Sequence, residues 1–125
     1  MDKPGEHYEK LRTHFASAHL ERRPDGSALV LIPDFALKPG WNKQQTTVVF
    51  IVPVGYPVAQ PDTFWTDPDL RLANGGMPAN SGINANYGGP SPRLWFSFHP
   101  SSWNPNLDDF LTYVKLIGRR LSEAR

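Results

Sequence analysis

The sequence predicts an α+β fold, and three observations carry that expectation. Thr46 to Val52 is the strongest strand signal, with Thr46, Thr47, Val48, Val49, Ile51 and Val52 all β-branched. Leu107, Phe110, Leu111, Val114, Ile117 and Leu121 fall on one helical stripe. Helices and strands do not alternate along the chain, so a doubly wound parallel sheet is not expected. The predicted order is an N-terminal helix, a four-stranded antiparallel meander, a long loop and a C-terminal amphipathic helix. With 125 residues, positions 1–125 are read as a single domain, large enough for a core without disulfides or metals.

Each element follows from local chemistry. Glu6 to His14 can form a short helix, with Tyr8, Leu11 and Phe15 at helical spacing and Pro4 near its first turn. Phe15 to Arg22 is the first expected strand. Arg23-Pro24-Asp25-Gly26 is a turn: proline presets φ and Asp-Gly tolerates positive φ. Ser27 to Phe35 is the second strand, and Lys38 to Asn42 is a loop. Thr46 to Val52 is too continuously apolar for a strand wet on one face, so one face should meet a helix and the other be at least partly covered. Asp62 to Thr66 is a short fourth strand. Asn74 to Pro92, rich in Gly, Asn, Ser and Pro, reads as a long loop, a length that is often functional. Leu107 to Leu121 is the last helix, with Asn106 as N-cap, Asp108 and Asp109 in the first turn, and Lys115, Arg119 and Arg120 towards its end.

Composition excludes several function classes. Thirteen basic and 12 acidic residues leave a net charge of +1, which gives no reason to expect nucleic acid or an anionic membrane as partner. No apolar run approaches the ~20 residues of a membrane span, and Met1-Asp2-Lys3-Pro4 does not begin a signal peptide. A cytoplasmic protein is the expectation. The four histidines (His7, His14, His19, His99) lack metal-ligand spacing. The loop glycines are not followed by the Lys-Ser/Thr of a phosphate loop. No metal and no cofactor are expected. Trp41, Trp65, Trp95 and Trp103 come without a basic patch, which favours core or partner-facing roles over base stacking.

Three stretches carry a resemblance. Val48 to Val54 runs into Tyr56-Pro57, then Pro61 and Phe64; Trp103-Asn104-Pro105 precedes a helix; and that helix is amphipathic. In this order they resemble the ubiquitin-conjugating enzyme fold. Gly40-Trp41-Asn42 before the third strand and Ser97-Phe98-His99 before Trp103 make the chain similar to a bacterial branch, prokaryotic ubiquitin-conjugating-like family E. The resemblance spans roughly Tyr8 to Leu121. It implies a ubiquitin-like protein, an activating enzyme and a target amine as partners, a monomer or a complex with the activating enzyme, and phage defence as a common context. The usual His-Pro-Asn has no clear counterpart, with Asn80, Asn84 and Asn86 as candidate substitutes. The chain also shows one C-terminal helix where eukaryotic relatives carry more.

The superfamily carries its modifier as a thioester on cysteine, and this chain has no cysteine. Counting back from Trp103, that position falls near Trp95 to Ser97. Ser97 is the residue there able to act as a nucleophile, and His99 is the imidazole beside it in sequence. In an extended segment their side chains point the same way, with Cα atoms about 6–7 Å apart. Serine and histidine so spaced are more often ordinary polar residues. Ser101 and Ser102 are competing nucleophiles. Asn84 or Asn86 would support an oxyanion, and Asp108 or Asp109 would orient His99 or help deprotonate the amine, although helix capping explains both aspartates equally. Trp103 is further candidate support. The expected function is acyl transfer through a Ser97 oxyester. The alternatives are a non-catalytic variant that binds a ubiquitin-like protein or scaffolds its activating enzyme, and an unrelated small interaction domain.

Overall fold

The computed structural model describes residues 1–125. Helix α1 (Lys3–Arg12) is followed by strands β1 (His19–Arg22), β2 (Ala28–Ala36), β3 (Gln45–Val52), β4 (Phe64–Thr66), β5 (Ser81–Asn84) and β6 (Arg93–Phe96), and then by helix α2 (Phe110–Leu121). The sheet has six strands in the order β1-β2-β3-β4-β6-β5, every neighbouring pair antiparallel. The expected α+β architecture is present, and β1 to β4 follow one another as antiparallel neighbours, but the sheet does not stop at four strands. Two further strands lie after β4, and β6 inserts between β4 and β5.

Physical reasons account for the shifted boundaries. Asp2 caps α1 by accepting the Gly5 N–H at 3.0 Å, so the helix begins before Glu6 and stops at Arg12. Phe15 then lies outside the helix, stacked on Phe35 at 6.1 Å. The first strand is shorter than Phe15 to Arg22. β2 is interrupted between Ile32 and Phe35, around Pro33, which has no N–H to give the ladder. The Asn74–Pro92 stretch is not one loop: Ser81 to Asn84 pair with Phe96 to Arg93. α2 starts at Phe110, capped by Asp109 and not by Asn106. Asp109 and Thr112 form a reciprocal capping box, and Leu107 is left 77% exposed.

Both helices cover one face of the sheet. Leu11 of α1 and Phe110, Tyr113, Val114 and Ile117 of α2 join Val30, Ile32, Val48, Phe50, Phe64, Leu94 and Phe96 in the main core. β3 is buried on its second face too, as its sequence demands. There Val49 packs with Leu29, Trp65 and Tyr87, and Ile51 lies against them. Tyr87 arrives on a strap, Ala85 to Pro92, pinned by Arg23 donating to the Tyr87 carbonyl at 2.7 Å. Gly89 permits this close approach, because a Cβ there would meet the Tyr87 ring at 2.0 Å. No helix is long and apolar enough to cross a membrane.

Candidate functional site

β6 ends at Phe96, and the next five residues form one wall of an open cleft of about 370 Å³. Ser97, His99 and Ser101 lie on this wall with Asn80, and the far wall is the end of α2 with Arg119, Arg120 and Glu123. Ser97 is exposed, and its hydroxyl makes no hydrogen bond within the chain. Its backbone is fixed, with the N–H donating to the Asn80 carbonyl at 2.8 Å. Asn80 holds φ +56°, a left-handed conformation that asparagine tolerates better than most residues.

The segment carrying His99 is held from below. Phe98 packs on Phe64 at 5.6 Å, and its carbonyl accepts the Thr63 N–H at 2.7 Å. The Tyr113 hydroxyl donates to the Thr63 carbonyl at 2.7 Å. Burial pushes the Tyr113 hydroxyl well above its ordinary value, so it stays protonated and remains a donor. These bonds hold Thr63 at φ +60°, where a β-branched residue is strained. The adjacent Asp62 carboxylate thereby meets His99 Nδ1. With Nδ1–H donated to Asp62, Nε2 is the free acceptor. Ser97 and His99 share the cleft, but no hydrogen bond joins them.

Arg120 ties the two walls together. It is only 8% exposed, stacks over Phe96 at 5.1 Å, and donates to the carbonyls of Ala79, Glu123 and Arg125. Burial pulls its ordinary value down, yet guanidinium stays charged throughout the working range. The bond to Ala79 fixes the backbone next to Asn80, hence next to Ser97.

The other candidate residues are engaged elsewhere. Asn84 Oδ1 accepts from Trp65 Nε1 at 2.9 Å and from the Asn86 N–H at 3.0 Å, on the sheet face opposite the helices. Neither Asn84 nor Asn86 lines the Ser97 cleft. Trp103 Nε1 donates to the Pro57 carbonyl at 2.8 Å and stacks near Tyr56. Asp108 accepts the Asn104 N–H at 2.7 Å, closing the turn before α2. Asp109 caps α2 and pairs with Lys10 at 2.7 Å. Burial raises the Asp109 carboxyl, but Lys10 outweighs it and holds the group below the ordinary carboxylate range. Trp41 is structural as well, donating to the Leu121 carbonyl at the end of α2 at 2.9 Å. Ser101 lines the cleft and Ser102 does not.

Sequence reasoning missed Asp62, which is 37 residues from His99 and lacks any local signal. The burial of Arg120 was not foreseen either, since the sequence places it only among the basic residues towards the end of the helix.

The fold is thus an antiparallel α+β sheet with both helices on one face, and Ser97 opens on a cleft beside the last helix. The family model for prokaryotic E2 family E matches residues 6–124, and the chain belongs to that family. Comparisons with curated proteins and with solved structures gave no match. Membership overturns the reading as an unrelated interaction domain. It carries a general role in ubiquitin-like conjugation, as a conjugating transferase type working with a modifier and an activating enzyme.

Proposed function

We propose that the protein accepts the C-terminal acyl group of a ubiquitin-like protein on Ser97 and passes it to a target amine. The observation that carries this reading is the exposed Ser97 hydroxyl at the mouth of a cleft shared with an aspartate-paired imidazole. Ser97 Oγ attacks the activated carbonyl carbon, and its proton passes to His99 Nε2. The thiolate of the activating enzyme leaves and takes the proton from His99, which returns to its neutral form. The target amine then attacks the ester carbonyl, and Ser97 regains its proton as leaving group. His99 has to swing towards Ser97 during the first step, because the two are not bonded at rest. The Asn80 amide, exposed in the same cleft, supports the oxyanion. Asp62 holds the His99 tautomer and ring orientation.

A non-catalytic binding role is the second reading, favoured by the lack of a Ser97–His99 hydrogen bond. Substitution separates the two. Ser97→Ala abolishes transfer under the enzyme reading, and Ser97→Cys yields a thioester that thiol reductant cleaves. Under the binding reading both variants support conjugation as the parent does.

A further inference from the structure

The far wall of the Ser97 cleft holds a cation that the fold does not use. Arg120 is fully occupied by backbone carbonyls, and Arg125 pairs with Glu123 at 2.7 Å. Arg119, by contrast, is exposed, and its guanidinium makes no hydrogen bond or ion pair within the chain. Arg119 and Leu116 also line a second opening of about 250 Å³ on the same helix, together with Lys115 and the Lys10–Asp109 pair. Lys115 is exposed and unpaired too. The two openings share a wall, so a continuous strip leads from Ser97 past half-buried Leu116 and Arg119 to Lys115. It carries two unmatched positive charges.

We propose that Arg119, with Lys115 behind it, selects modifiers whose tail bears an acidic side chain a few residues before the C-terminal carbonyl. This rests on the reading that the cleft receives the modifier's tail. A tail with its last carbonyl at Ser97 advances about 3.3 Å per residue when extended, so the residues just upstream run beside α2. An acidic side chain there meets the free guanidinium, and a basic one meets like charge, which discriminates by repulsion as well as attraction. Leu116 offers the same segment an apolar contact without charge preference.

Two capped peptides test this by amide NMR titration of the isotope-labelled full chain: acetyl-Ala-Glu-Gly-Gly-amide and acetyl-Ala-Arg-Gly-Gly-amide. The Glu peptide is expected to shift the Ser97 to Ser101 and Arg119 signals and to bind about two- to five-fold more tightly, the range for an exposed ion pair. The preference shrinks as salt is added. Arg119→Gln removes the preference and Arg119→Glu reverses it. Equal binding, a tighter Arg peptide, no binding of either, or an Arg119→Glu variant with unchanged order overturns the proposal. The peptides carry no activated acyl group, so this outcome is independent of Ser97 chemistry. A preference with no Ser97 adduct removes the nucleophile and leaves tail selection. An adduct with no preference removes tail selection alone.

Discussion

In the proposed site, Ser97 depends on its neighbours His99 and Asp62. A serine hydroxyl needs a base, and an imidazole whose Nδ1 is held by a carboxylate presents Nε2 for that purpose. His99→Ala is expected to slow ester formation on Ser97 by about 10²-fold or more, the usual contribution of a positioned base, with thermal stability unchanged. Asp62→Asn is expected to lower the same rate by a smaller factor. A transfer assay with the purified variants measures both. That Ser97 and His99 fall in one cleft was legible, because only Phe98 separates them. Asp62 was not, because β4 and Thr63 bring it there through a long-range backbone bond.

His7 supplies a pH dependence at the same scale. Burial pulls its imidazole below the ordinary value of 6.5, and Nδ1 meets the Tyr56 hydroxyl at 2.6 Å. Burial also pushes Tyr56 well up, so its hydroxyl keeps its proton beside His7. The unfolded chain therefore binds a proton more readily than the folded one. Stability contributed by neutral His7 is complete above pH 6.5 and falls as pH drops through that value towards the folded one. Melting temperature is expected to decrease between pH 7 and pH 5, and His7→Gln is expected to flatten this part of the curve. An identical slope in the variant refutes the assignment.

At the scale of elements, α2 was the most legible and its first turn the least. The stripe Phe110, Leu111, Val114, Ile117 and Leu121 is buried as its periodicity demands. Asn106 and Asp109 are both good caps by type, and burial decides between them: Phe110 enters the core beside Tyr56 and Phe50, and Leu107 has no core to enter. Asp109→Ala is expected to cost about 0.5–2 kcal/mol for the cap, and more through the loss of the Lys10 partner. Urea denaturation measures it, and Asp109→Asn should recover most of the capping share. β5 was hidden by its composition. Ser81, Gly82 and Asn84 disfavour strands, and Ile83, the one strong strand former, is exposed at 48% on the sheet edge. It forms because β6 offers a partner, a tertiary cause that periodicity does not report.

Across the whole molecule, both helices lie on one face of the sheet and the strap covers part of the other. The continuously apolar β3 announced two-sided burial, and Tyr87 supplies the second cover. Gly89→Ala is expected to force the Tyr87 ring from this cluster and destabilise the fold by about 1–3 kcal/mol, as overpacking does. A change in Trp65 emission should accompany it, because the two rings sit 5.7 Å apart. Loss at the Ser97 cleft is not expected, since the strap occupies the opposite face.

The most direct test of the account is a mass spectrum of the protein after incubation with its ubiquitin-like partner, activating enzyme and ATP. An adduct on Ser97 that survives thiol reductant and is released by hydroxylamine is the predicted result. No adduct on Ser97, with the same partners charging a cysteine-bearing conjugating enzyme, would contradict it.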